Sequence, residues 1–251
     1  MNFKLWLYEA NSPEFEKRAQ IISNLNDKIF NLSENGNKLF INIYNPALFY
    51  KVKENSNLNN NAKKKAVEDA SIGGALLEMK QNPANVHIDV DPRYTKTGLG
   101  GMIYEIAIEY ATSKGSAIAV SGSIGISTTS EDAFNVWNHF MQKRQNIIPI
   151  PISKYTGITQ IDQSIAINII DGIINVNGVD PDFNMKRYSY VGRMNNLSPE
   201  DIDELKNKFP AAFHVFKRNM YTIPQLEKAG KLLRMNNIDD LYNYLLNLKY
   251  K

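Results

Sequence analysis

The segment Val86-His87-Ile88-Asp89-Val90-Asp91-Pro92-Arg93-Tyr94-Thr95-Lys96-Thr97-Gly98-Leu99-Gly100-Gly101 changes its hydrophobic period midway. Before Pro92, the apolar Val86, Ile88 and Val90 alternate with His87 and Asp89, the two-residue period of a β-strand. After Thr97, the residues Leu99, Met102, Ile103, Ile106 and Tyr110 fall at helical spacing, which predicts a helix over Gly98–Lys114 closed by Gly115. A helix start leaves backbone N–H groups unpaired and carries partial positive charge, so it is prepared to receive an anion. Glycines at 98, 100 and 101 let the backbone approach a diphosphate, and Lys96 adds a charge-assisted contact at the rim. The competing reading is a glycine turn that only packs a helix onto a sheet. Other phosphate motifs fit worse. No Walker A loop is present, and a Rossmann loop needs glycine where Ile103 stands. Gly122-Ser123-Ile124-Gly125 does not meet the Gly-x-Ser-x-Gly pattern and reads as a turn.

Upstream, Phe3–Tyr8 reads as a strand. A helix follows from an N-cap at Ser12, with Phe15, Ala19, Ile22, Leu25, Ile29 and Leu32 on one face, until Asn35-Gly36-Asn37 stops it. Strands are predicted at Lys38–Tyr44, Leu48–Lys53 and Ile72–Lys80, with a polar loop over Asn55–Asn61 and a solvated basic run at Lys63–Lys65. Downstream, Ala117–Val120 suits a buried strand, and a helix is expected from Thr129 or Ser130 to about Phe140. Ile147–Val191 reads as further strands, with Ile165–Val176 rich in isoleucine. Ser198-Pro199-Glu200-Asp201 starts a run of two or three amphipathic helices that ends at Lys251. The expected division is a domain over 1–195 and a helical C-terminal extension over 196–251.

This order of elements, with Val90, Pro92, Tyr94, Gly98 and Gly100 in register, resembles the GNAT superfamily of acetyl-coenzyme A-dependent N-acetyltransferases. The family pattern is a strand ending in Val-x-Pro-x-Tyr, then Arg/Gln-x-x-Gly-x-Gly/Ala and a helix. The likeness runs from Phe3 to about residue 190, and its specific part is the segment quoted above. It implies an α/β (α+β) fold with a GNAT-like mixed, mostly antiparallel central sheet flanked by helices. It also implies acetyl-CoA as cosubstrate and an amine acceptor that attacks the thioester directly. The coenzyme contacts it implies are Val90, Thr95, Lys96, Thr97, Gly98, Leu99, Gly100 and Gly101, with Ser130 and Trp137 on the following helix. A base would come from His87 or Asp89, and a backbone N–H near Val90 would meet the oxyanion. Two positions depart from the pattern. Thr95 stands where the family prefers arginine or glutamine, and Trp137 stands where a tyrosine usually protonates the leaving thiolate.

Composition narrows the alternatives. In 251 residues the net charge is +3 with no concentrated basic face, so no nucleic-acid partner is expected. Cysteine is absent, which removes disulfides and thiolate chemistry, and intracellular (cytoplasmic) localisation is the simplest expectation. His87, His139 and His214 make no ligand spacing, so no metal is expected. No apolar run reaches the roughly 18 residues of a membrane span. Two functions stay open: an acetyltransferase acting on an amine, and a GNAT-like binding or structural module without turnover. For either, the apolar faces of the C-terminal helices are expected to cover the domain's own sheet, the alternative being that they dock another copy or an assembly partner.

Overall fold

The computed structural model describes residues 28–49, 59–80, 82–94, 98–120, 131–144, 146–158, 161–162, 164–169 and 197–248, with 22 and 25 as single positions. The expected strand at Phe3–Tyr8 and the helix start at Ser12 lie outside them.

β1 (Ile29–Asn35) and β2 (Lys38–Tyr44) form an antiparallel hairpin in register from Asn35↔Lys38 to Ile29↔Tyr44. Its two-residue turn is Gly36-Asn37, with Gly36 at φ 57°. This corrects the reading of Ile29 and Leu32 as the end of a helix. A short apolar run fits a helical stripe and a buried strand alike, whereas Gly-Asn between two such runs is hairpin chemistry. After β2, α1 (Pro46–Phe49) replaces the beginning of the expected strand at Leu48–Lys53, and Asn45 Oδ1 caps it by accepting from the Ala47 N–H at 3.0 Å. α2 (Asn60–Ala70) starts on an Asn59 cap and takes in Lys63–Lys65, which are therefore helical.

β3 (Ser71–Glu78) and β4 (Asn85–Val90) lie where the sequence predicts them. The larger sheet has the order β4-β3-β2-β1-β8, in which β8 (Leu232–Leu233) runs parallel to β1. Beyond Leu233 the buried Asn31 side chain takes over the pairing. Its amide donates to Met235 O at 3.0 Å and its Oδ1 accepts from Met235 N–H at 2.9 Å, as a peptide group would. A three-stranded sheet has the order β5-β7-β6, from β5 (Ile118–Ala119), β6 (Ile148–Pro151) and β7 (His214–Lys217), all antiparallel. In β6, Pro149 and Pro151 stand opposite Phe216 and His214. A parallel bridge joins Ala84, just before β4, to Ile118, with Ala84 N–H donating to Ala117 O at 2.8 Å.

The chain divides into two compact units, one of Met1–Glu78, Ile88–Glu109 and Met220–Lys251, the other of Met79–His87 and Tyr110–Asn219. The first contains a cluster around Phe49, Val67, Leu241 and Leu245, and the second one around Ile152, Ile165, Leu205 and Phe213. The expected helical extension over 196–251 is corrected accordingly. It does contain helices, but it also supplies β7, the middle strand of the smaller sheet, and β8. The expected strands beyond residue 169, with most of the isoleucine-rich segment, lie outside the described residues, and its start differs from the expectation. Residues 164–169 are helical, burying Ile165, Ala166 and Ile169 on one side. Among the described residues no helix is long and apolar enough to cross a membrane.

α3 (Leu99–Ser113) is buried on every side from Met102 to Ala111, including Glu105 and Glu109, both at 0% exposure. Later in the chain come α4 (Glu131–Lys143), α5 (Ile152–Thr156), α6 (Pro199–Lys208), α7 (Thr222–Lys228) and α8 (Ile238–Asn247). α7 has no side-chain cap from its own Tyr221. The two glutamates supply one from a distance. Glu109 accepts from Thr222 N–H at 2.6 Å and Ile223 N–H at 2.9 Å, and Glu105 accepts from the Thr222 hydroxyl at 3.0 Å. Replacing Glu109 by leucine leaves two buried N–H groups without acceptors at about 1–3 kcal/mol each. The expected loss is about 2–6 kcal/mol in urea unfolding, and Glu109→Gln, which keeps one acceptor, loses less.

Tyr44, 5% exposed at the end of β2, has its hydroxyl pushed up to about 12 by burial, with Glu68 adding to the shift. The folded state therefore holds the neutral phenol beyond the pH at which the unfolded chain ionises. Its contribution is complete below pH about 10 and is lost as pH rises through the folded value. Tyr44→Phe is expected to flatten the fall in stability between pH 10 and 12 measured by denaturant unfolding.

Candidate functional site

β4 delivers the chain into a fixed turn. Asp91 N–H donates to Ile72 O at 3.0 Å, and Tyr94 N–H donates back to Asp91 O at 2.8 Å, closing a single 3-10 turn over Pro92–Tyr94. The Asp91 carboxylate accepts from the Arg93 backbone N–H at 2.9 Å and from its guanidinium at 2.6 Å. Those side-chain hydrogen bonds, then the backbone one, hold the Asp91 carboxyl below its ordinary value. Tyr94 is anchored at its hydroxyl, which accepts from Asn45 Nδ2 at 3.3 Å. Its ring has the Lys28 ammonium at 5.7 Å and the Arg93 guanidinium at 5.9 Å from its centre.

α3 begins beyond this turn. Gly98 has φ 86°, in the left-handed region, and Met102 N–H donates to Gly98 O at 3.1 Å as the first helical bond. The N–H groups of Leu99, Gly100 and Gly101 precede that bond and have no place in the helical ladder. Leu99, at 3% exposure, pins the start into the core. A Cβ placed on Gly98, Gly100 or Gly101 would meet nothing within 4 Å.

Along β4, Asn85 and Val86 are buried, Ile88 and Val90 are half-buried, and His87 and Asp89 are exposed. Both candidate bases therefore sit on the solvent-facing side of one strand. Sequence reasoning passed over Gly73 and Gly74, which let β3 approach its neighbours closely. A Cβ on Gly73 (φ 156°) would lie 3.0 Å from Asp89 O and 3.1 Å from Val90 Cα. The signal was available as paired glycines inside an apolar strand. Trp137 on α4 is 1% exposed, with its ring 4.7 Å from Phe216 and edge-on to Phe140 at 5.9 Å. It presents almost no surface for a coenzyme to stack on, so packing replaces the expected contact. Thr95, Lys96, Thr97 and Ser130 lie outside the described residues.

The chain matches no protein-family model, no curated protein and no solved structure.

The Asp91–Arg93 clamp has a direct titration signature. A depressed carboxyl contributes stability above its unfolded value and loses it as pH falls through the folded one. In Arg93→Ala the Asp91 carboxyl, followed by carbon NMR, is expected to move up toward its ordinary value.

Proposed function

We propose that the chain is an acetyl-CoA-dependent N-acetyltransferase that passes the acetyl group to an amine by direct attack on the thioester. The observation carrying this reading is the open glycine start of α3. A glycine kept only for close packing has neighbours where its Cβ would sit, as Gly74 does, where Ile41 O would be 2.5 Å away. Among the described residues Gly98, Gly100 and Gly101 have none within 4 Å, which leaves room for a ligand beside their backbone. The mostly antiparallel sheet flanked by helices supports the same reading, because the GNAT resemblance implies such a sheet.

On this reading the N–H groups of Leu99, Gly100 and Gly101 hold the diphosphate. The pantetheine arm pairs along Val90. The amine nitrogen forms a bond to the thioester carbonyl carbon, and a backbone N–H near Val90 meets the resulting oxyanion. The carbon–sulfur bond then breaks, coenzyme A leaves as thiolate, and Asp89 or His87 takes the amine proton directly or through water. A coenzyme-binding module without turnover is the second reading. It is favoured by Trp137, whose indole is a poor acid and is packed away where the family places a tyrosine.

Calorimetry with acetyl-CoA tests both readings, and no binding at millimolar ligand would sink both. Release of thiol on offering amines separates turnover from binding alone. Because added methyls meet nothing, the double substitution Gly100→Ala and Gly101→Ala is expected to raise stability by up to about 1 kcal/mol per site. The same change should weaken acetyl-CoA binding by about tenfold or more, since it intrudes on the backbone approach. Of Asp89→Asn and His87→Gln, the one removing the base lowers kcat by roughly 10²–10⁴.

A further inference from the structure

The second unit contains a small cavity for which the acetyltransferase reading has no role. Its volume is about 230 Å³, below the roughly 300–1,000 Å³ of sites for drug-sized ligands. Pro151, Pro210 and Phe213 provide apolar surface. Ser153, Asp162, Lys206 and His214 provide the polar groups.

The remaining bonding capacity of each polar group follows from the contacts it already makes. His214 Nδ1 lies 2.8 Å from Pro210 O. A carbonyl only accepts, so Nδ1 bears the proton, and the tautomer with that proton has Nε2 as its acceptor. Lys206 Nζ is 2.9 Å from Asp162 Oδ2, while Asp203 Oδ1, at 3.8 Å, is too far for a hydrogen bond. An ammonium has three donors, so Lys206 retains capacity toward an anion. Asp162 Oδ1 is left as an acceptor, and the Ser153 hydroxyl can donate. The cavity thus offers two acceptors and two donors, with one negative and one positive charge already paired.

We propose that this cavity binds a free α-amino acid with a small side chain. The ligand's ammonium donates to Asp162 Oδ1 and His214 Nε2. Its carboxylate accepts from Lys206 Nζ and the Ser153 hydroxyl, and its carbon atoms rest on Phe213 and the two prolines. A plain anion of this size would face Asp162, and a plain cation would face Lys206. A zwitterion places an opposite charge against each. Nothing in this proposal depends on coenzyme binding by the first unit.

The test is an amide and histidine NMR titration of the full chain with glycine and L-alanine, and with acetate and methylamine as half-ligands. Saturable shifts at Ser153, Asp162 and His214 are expected for the amino acids, with at least about tenfold weaker binding of either half-ligand. Lys206→Met and Asp162→Asn should each lose at least about tenfold in affinity, and Ser153→Ala, a milder change, a smaller factor. Acetyl-CoA affinity on the same variants should stay unchanged, which separates a failure here from a failure of the acetyltransferase reading. Absence of shifts with amino acids at tens of millimolar, or acetate binding as well as glycine, overturns the proposal.

Discussion

α3 is buried on every side from Met102 to Ala111, and its two glutamates therefore have to find partners inside the protein. A carboxyl group removed from water without hydrogen bonds is among the costliest groups to bury. Here that requirement is met by another requirement of the same kind. α7 begins with N–H groups that its own residues do not cap, and Glu109 accepts two of them while Glu105 takes the Thr222 hydroxyl. Residues more than a hundred positions apart in sequence are held together by this exchange. It fixes α3 in place, and with it the orientation of the glycine start proposed to receive the diphosphate. The far end of α3 is closed locally, by Gly115 at φ 81° and by Ser116 N–H donating to Ala111 O at 2.9 Å.

Local chemistry made much of this legible. The Ser198–Asp201 capping box sets the start of α6, and β2 and β4 show the alternation that predicts them. α3 was predicted to within a residue at each end, yet its environment was not. Glu105 and Glu109 fall outside the predicted apolar stripe, and it is the distant start of α7 that gives their buried carboxylates partners. Short strands escaped for the same reason. Leu232–Leu233 and His214–Lys217 carry too few residues to show a period, and their strand character comes from partners elsewhere in the chain. The first hairpin was missed because Ile29, Phe30 and Leu32 satisfy both periods, and the pairing with β2 decides between them.

The candidate site divides in a similar way. Its backbone chemistry, a strand, a fixed turn and open glycines, follows from residue types at known spacing. The clamp between Asp91 and Arg93 and the anchoring of Tyr94 by Asn45 required the fold, since Asn45 lies far upstream in sequence. Gly73 and Gly98 show how the same residue type serves opposite needs. One makes room for the neighbouring β4 backbone, and the other leaves space open. Sequence alone does not separate the two uses, because both read as glycine beside apolar residues.

The prolines of β6 carry a consequence of another kind. β6 ends the order of the smaller sheet among the described residues, so one of its sides is not joined to a strand there. Pro149 and Pro151 have no N–H to donate, so donors on this strand between them are left to Ile150, opposite Val215. The outward side at the proline positions then shows carbonyl oxygens and no donors. An incoming strand needs both in alternation, and finds half of the pattern missing. Even with Ile148 half exposed on this strand, the sheet is a poor seed for stacking one chain edge to edge on the next. The prolines act as gatekeepers against aggregation.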